Sequence, residues 1–216
     1  MAYRYLARSV GGFIQQAAVY YIQRGYYFYV LGRVQKGNRC RQIDRKILAQ
    51  YGIELSKDQR YRRKKKGQAS MQYLRYKDTF ILLATEGEHR FFAAEETAIQ
   101  DARVSPLRVF GYAITHQNGR VLVGLDEETY RHLRADFLRL ALRRNQRTLA
   151  RKFWSLPFEP YGPVYRQVLS ICKAVNRKRK TGGLPLLPSS TLRRLRRSYR
   201  PFDTGESKTV FLIGIS

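Results

Sequence analysis

Residues 108–128 read RVFGYAITHQNGRVLVGLDEE, the pattern of a hairpin that runs into a capped helix. Arg108 to His116 alternates, Arg120 to Leu125 alternates back, and Asn118-Gly119 between them is the pair that adopts positive φ in a two-residue hairpin turn. Asp126 then stands at the N-cap position of a helix, with Glu127 and Glu128 in the first turn, where the macrodipole favours anions.

Downstream, the chain reads as helices. Tyr130, Leu133, Phe137 and Leu140 form the core stripe of the Asp126-capped helix, and His132, Asp136, Arg139 and Arg143 its wet face. A basic helix is predicted over about Gln146 to Ser155, broken by the run Leu156 to Pro163. Pro163 opens the next helix, with Val164, Val168, Ile171 and Val175 as its stripe and Arg177-Lys178-Arg179-Lys180 before the stop at Gly182-Gly183. A Pro/Leu/Ser linker over 184–192, a short helix carrying Arg193-Arg194-Leu195-Arg196-Arg197, and an edge strand over Thr209 to Ile213 complete this part.

Upstream, a helix is predicted over 5–22 and a strand over Tyr26 to Leu31, followed by a turn at Lys36-Gly37-Asn38. Asn38 caps a helix with stripe Cys40, Ile43, Ile47 and Tyr51 and stop Gly52. Ser56 to Gly67 reads as a loop, because six cations in the seven residues Arg60 to Lys66 repel one another. Thr79 to Thr85 is the best buried strand, turning at Glu86-Gly87 and returning through Arg90-Phe91-Phe92. The order predicts an α+β fold, an antiparallel sheet built from hairpins with packed helices and a basic helical C-terminal third. The expected domains are an α+β core over 1–136 with the basic loop 56–67, and a basic helical region with a tail over 137–216.

Composition supplies the partner class. The 216 residues carry 42 Lys+Arg against 16 Asp+Glu, a net charge of +26, with 44% hydrophobic residues, which excludes wholesale disorder. The charge is segregated. Residues 33–66 hold 13 bases and three acids, residues 137–200 hold 17 bases and one acid, and residues 67–136 between them are slightly acidic. A solvated surface mixes both signs; segregated cationic blocks point to a polyanion. Nucleic acid fits best, since each phosphate contact releases condensed counterions, and the Arg-rich character suits forked phosphate contacts and base stacking.

The residues expected to bind nucleic acid are Arg60, Tyr61, Arg62, Arg63, Lys64, Lys65 and Lys66 in one strip, and Arg143, Arg144, Arg147, Arg151, Lys152, Arg177, Lys178, Arg179, Lys180, Arg193, Arg194, Arg196 and Arg197 in the other. The two strips are expected to converge into one groove. Tyr61, Tyr73, Tyr76, Tyr26, Tyr27 and Tyr29 lie beside cations and offer rings for unpaired bases, which favours RNA or single-stranded nucleic acid over duplex DNA. Arg24 to Tyr29 shares its basic residue, Gly25 and aromatics with the RNP1 signature of RNA-recognition domains but departs from it at Tyr27 and Tyr29, and no family is assigned.

Other chemistries find less support. Cys40 and Cys172 stand far apart with no CxxC, and His89, His116 and His132 are scattered, so no disulfide framework, metal site, cofactor or catalytic residue is assigned. The longest uncharged stretch, Ser9 to Gln23, is 15 residues, short of a membrane span. The alternative is a Mg-dependent nuclease or recombination-type enzyme of a mobile element. Glu206-Ser207-Lys208 has the local form of a Glu-x-Lys metal-nuclease strand, with Asp203 too close in sequence to sit a strand away; Glu86, Glu88, Glu95, Glu96 and Asp101 cluster near His89. Non-enzymatic binding within a ribonucleoprotein or mobile-element complex is favoured, with enzymatic activity left open. The compartment is read as intracellular, cytoplasm or nucleoid. Lys64 to Lys66 and Arg177 to Lys180 also read as nuclear import signals, and the acid-free start before Asp44 is mildly like an organelle transit segment.

Overall fold

The computed structural model describes residues 3–34 and 40–202. The expectations for Lys36 to Asn38, Asp203, Glu206 to Lys208 and Thr209 to Ile213 lie outside the described residues. The architecture is α+β with two antiparallel sheets. Two compact units are present. The first takes the described residues up to 107 with 114–121 and 199–202; the second takes 108–113 and 122–198.

In the first unit, helix α1 (Val10–Gln15) runs on through a π-helical turn (Gln16–Tyr21) and a 3-10 turn (Ile22–Arg24). It starts later than the predicted residue 5. The Ser9 hydroxyl caps it by accepting from the Gly12 N–H, and the preceding backbone is extended because Ala7 N–H donates to the Arg75 carbonyl and Arg75 N–H to the Tyr5 carbonyl. The pair Gly11-Gly12 exists for close approach. A Cβ on Gly11 would sit 2.3 Å from the Tyr199 ring, and one on Gly12 would sit 3.0 Å from the Pro201 backbone. The buried Gln15 side chain holds the same strap at both ends of the Tyr199 peptide, donating to its carbonyl at 2.8 Å and accepting from its N–H at 3.1 Å.

Strands β1 (Phe28–Arg33), β2 (Met71–Tyr76), β3 (Thr79–Ala84) and β4 (Gln100–Asp101) form a sheet of order β2-β3-β1-β4. β3 pairs with β1 from Phe28↔Ala84 to Arg33↔Thr79 and with β2 from Met71↔Ala84 to Tyr76↔Thr79. The hairpin partner of β3 is thus β2, through a Lys77 turn with φ 53°. The predicted returning strand at Arg90 is instead a short helix, α4 (Arg90–Ala94), capped by His89 Nδ1, which accepts from the Phe91 N–H.

Helix α2 (Cys40–Tyr51) ends as expected at Gly52, φ 56°. Tyr51 of the expected stripe is buried and Ile47 packs against the core, with Cys40 and Ile43 half-buried; Asp44 and Leu48 turn inward beside them. Leu48 and Tyr51 join Val30, Met71, Tyr73, Leu82 and Phe91 in the core. Asp44 is wholly buried against the sheet. Its carboxylate takes both the Nε and Nη2 of Arg75, at 2.8 and 2.7 Å, and the Tyr73 hydroxyl at 2.6 Å.

The segment read as a loop is a helix, α3 (Lys57–Lys65). Ser56 and Gln59 form a reciprocal capping box, Asp58 lies in the first turn and Arg62 to Lys65 in the last, so both ends complement the helix dipole. Such a cap contributes about 0.5–2 kcal/mol, enough to offset the repulsion among neighbouring solvated cations.

Strands β5 (Leu107–Val109), β6 (Tyr112–Gln117) and β7 (Arg120–Leu125) form the second sheet in that order. The run 108–116 is therefore two strands, separated by Phe110 and Gly111 at φ 53° and 80°. Asn118 and Gly119 adopt φ 50° and 75°, as the turn requires. Gln23 clasps that turn, donating to the Gly119 carbonyl and accepting from the Val121 N–H.

In the second unit, α5 (Glu127–Leu140), α6 (Gln146–Trp154) and α7 (Gly162–Thr181) follow the predicted ranges, and the Asp126 carboxylate caps α5 by accepting from the Thr129 N–H. Phe137 and Phe153 stack at 3.9 Å, and Val164, Val168, Ile171 and Val175 are buried. Residues 184–192 are packed, not a linker. Leu187 and Leu192 are buried, and the Asn176 amide pairs with both backbone polar groups of Leu187. The predicted helix over Arg193 to Arg197 is extended chain. No helix among the described residues is long and apolar enough to cross a membrane.

Candidate nucleic-acid interface

The two cationic strips fall in different units. In the first unit, Tyr61, Arg62, Lys64, Lys65 and the C-cap Lys66 are exposed on α3, whereas Arg60 and Arg63 turn inward and are half-buried. The Nε atoms of Arg60 and Arg63 are buried with no hydrogen-bond partner among the described residues. Tyr61 is 61% exposed, and Lys65 Nζ lies 5.0 Å from its ring centroid. A stacking base would compete with that ammonium for the ring face.

In the second unit the strip is assembled around one buried cation. Arg179 is 1% exposed. Its Nη1 donates to the carbonyls of Ala141 at 2.7 Å and Arg144 at 2.9 Å, and its Nε donates to the carbonyl of Pro185 at 2.7 Å. The expectation that Arg179 contacts phosphate is corrected here: all three bonds go to backbone at the end of α5 and after α7. The guanidinium neutralises helix-terminal carbonyl dipoles and pulls the α5–α6 junction onto α7. The α5–α6 junction that carries Arg143 and Arg144 is thereby tied to the C-terminal end of α7, which carries Arg177, Lys178 and Lys180. Lys178 Nζ makes a second tie to the Leu138 carbonyl at 3.1 Å.

Along α6, Arg147, Arg151 and Trp154 recur at helical spacing and share one exposed face; Lys152 is exposed beside them. Trp154 is the single Trp of the chain and is 57% exposed. The sequence reading passed over it. Its signal was the neighbour Phe153, which takes the core position against Phe137 and leaves the adjacent ring facing outward.

The basic run after residue 192 divides. Arg194 and Arg197 are exposed. Arg193 is half-buried and paired with Glu159 at 3.4 Å, and the Arg196 guanidinium lies 4.5 Å above the Tyr161 ring. Glu159, the one acid in 137–200, is 3% exposed and also accepts from the Arg197 backbone N–H. It therefore cannot screen the exposed cations of this unit.

Most candidate stacking tyrosines are structural. Tyr73 is buried on Asp44, and burial followed by that hydrogen bond pushes its hydroxyl far above the usual tyrosine range. Tyr29 is buried with its hydroxyl 2.6 Å from Gln100 Oε1. Tyr27 is covered by the Arg103 guanidinium at 4.6 Å, and Tyr76 is half-buried beside Lys77. Tyr26 lines an open cleft.

Three acids of the cluster, Glu86, Glu95 and Asp101, are engaged in ion pairs or hydrogen bonds. Arg103 holds both Glu86 and Asp101, and Glu95 accepts from the Tyr51 hydroxyl. No group of three His, Cys, Asp or Glu side chains among the described residues is arranged to hold a metal. No protein-family model matches the chain, and no curated protein matches it.

His89 sits at the edge of α4 with Tyr51, Arg63 and Arg90 around it. Burial, followed by the nearby Arg63 charge, holds its imidazole below the usual histidine range. The unfolded chain therefore takes up this proton first as pH falls, so the contribution of His89 is present above about pH 6.5 and is lost below it. His89→Asn keeps an N-cap acceptor. Between pH 7 and pH 5 the variant's melting temperature is expected to fall less than that of the parent.

Proposed function

We propose that this chain is a nucleic-acid-binding protein that grips the sugar-phosphate backbone with exposed Arg and Lys, with RNA or single-stranded nucleic acid as the preferred ligand, inside a ribonucleoprotein or mobile-element nucleoprotein complex. One observation carries the reading. Residues 137–200 hold 17 bases against one acid, and that acid is buried and already bonded. A surface so uncompensated repels itself and is relieved by a polyanion. The strip has few amides or acids for reading base edges, so its contacts position the ligand more than they select a sequence. Trp154 on the same helical face as Arg147 and Arg151 adds a stacking platform that an unpaired base can use and a duplex cannot. The reading needs no cofactor.

Salt titration of binding to a labelled single strand tests it. The logarithm of affinity is expected to fall linearly with the logarithm of salt, with a slope of about −0.7 per phosphate contacted. Arg147→Gln with Arg151→Gln is expected to weaken binding and flatten the slope by about 1.4. Trp154→Ala is expected to weaken single-strand binding by about 5- to 150-fold with the slope unchanged, and to leave duplex binding nearly intact. An affinity independent of salt sinks the proposal.

A further inference from the structure

The first unit contains a cleft whose chemistry differs from that of the phosphate-gripping faces. It holds about 790 Å3 between the N-terminal segment, the π-helical turn and the start of α3. That volume lies within the range of pockets that enclose a small organic ligand. Its walls are aromatic: Tyr20 is partly exposed, and the Tyr21 and Tyr26 rings meet at 5.9 Å.

The floor is held rigidly. The Tyr3 hydroxyl accepts from the Tyr73 N–H at 2.8 Å and stands 2.9 Å from Gln72 Oε1, and Gln72 Nε2 donates to the Tyr26 hydroxyl at 3.2 Å. Three cations line the same space, Arg4, Arg24 and Arg60, with Glu54 as the acid among them. Arg24 lies 5.3 Å over the Tyr20 ring, and the half-buried Arg60 lines the cleft, its Nε without a hydrogen-bond partner among the described residues. Guanidinium groups on the wall of a cleft form forked, charge-assisted hydrogen bonds to an anionic oxygen. The N-terminal turn of α3 opens on the same cleft through Ser56 and Gln59, adding the positive end of a nine-residue helix.

We infer that this cleft takes a nucleoside phosphate, with the base against the tyrosine rings and the phosphate between Arg24 and Arg60. The inference deepens the nucleic-acid reading, since one unpaired nucleotide of a bound strand has this chemistry, as does a free nucleotide. It gives the first unit a site for a single nucleotide, distinct from the backbone contacts of the exposed strips.

The test is calorimetric titration of the full chain with adenosine 5′-monophosphate, with adenosine alone and with a short single strand. The monophosphate is expected to bind saturably and at least 10-fold more tightly than the nucleoside. Tyr20→Leu and Arg60→Gln, each checked by circular dichroism for an intact fold, are expected to weaken it by about 5- to 150-fold. Arg147→Gln with Arg151→Gln is expected to leave it unchanged, which separates failure of the cleft from failure of the backbone-gripping proposal. Parallel loss of single-strand affinity in the cleft variants assigns the site to a nucleotide of the strand; intact strand affinity assigns it to a free nucleotide. No monophosphate binding, equal binding of nucleoside and monophosphate, or binding unaffected by both cleft variants overturns the inference.

Discussion

Asp44→Ala is expected to bring the first unit to the edge of unfolding. The carboxylate is fully buried and accepts from both the Nε and Nη2 of Arg75 and from the Tyr73 hydroxyl. Removing it leaves a guanidinium and a phenol without their acceptor inside the sheet face. Breaking a buried pair by deleting one partner costs about 3–5 kcal/mol, against about 5–15 kcal/mol for the whole stability of a domain. Chemical denaturation should show this as a large shift in midpoint. Removing the partner as well should recover part of the loss, because Asp44→Ala with Arg75→Met no longer buries an unpaired charge. The double variant is expected to be more stable than Asp44→Ala alone, and a strictly additive cycle would contradict the coupling drawn here. Burial, followed by the Asp44 hydrogen bond, pushes the Tyr73 hydroxyl far above the usual tyrosine range.

Arg179→Met is expected to damage both stability and binding. Methionine fills much of the volume but returns nothing to the carbonyls of Ala141, Arg144 and Pro185. Buried acceptors left without a donor cost about 1–3 kcal/mol each, so a loss of about 3 kcal/mol or more is expected in a denaturant titration. The effect on nucleic-acid affinity should exceed that of removing one exposed cation, since the α5–α6 junction that carries Arg143 and Arg144 is no longer tied to the end of α7. Arg177→Gln is the comparison. It deletes a surface charge, should leave stability within about 0.5 kcal/mol, and should weaken binding only modestly. If Arg179→Met and Arg177→Gln reduce affinity equally at full folding, Arg179 is not a positioning residue.

The contrast between these two arginines shows where sequence reading stops. Arg177, Lys178, Arg179 and Lys180 are indistinguishable as a charge run. Helical periodicity separates them, since Arg179 lies four residues beyond Val175 on the apolar side of α7. Its burial depended on the carbonyls that the chain around residues 141–144 and 185 presents to it. Asp44 was hidden in the same way. It sits among Arg41, Arg45 and Lys46 as one acid in a basic stretch, and only the neighbouring β2 supplies Tyr73 and Arg75. The helix at 57–65 was legible and missed. Ser56 and Gln59 stand at capping-box spacing, and the local cap outweighed the repulsion that argued for a loop. Residues 193–197 err in the opposite direction: Arg193 and the Arg197 backbone are drawn onto the buried Glu159, which holds the chain extended.

By itself the chain's order of residues determined the elements that rest on local physics. The Asn118-Gly119 turn, the Asp126 cap, the stripe of α7 and the cationic excess of residues 137–200 each depend on neighbours within a few positions. Long-range packing sets which cations remain on the surface, which tyrosines are structural, and that Tyr20, Tyr26, Arg24 and Arg60 share one cleft. Those outcomes turn on contacts between residues tens of positions apart, where burial makes an unpaired charge costly and so selects its partner.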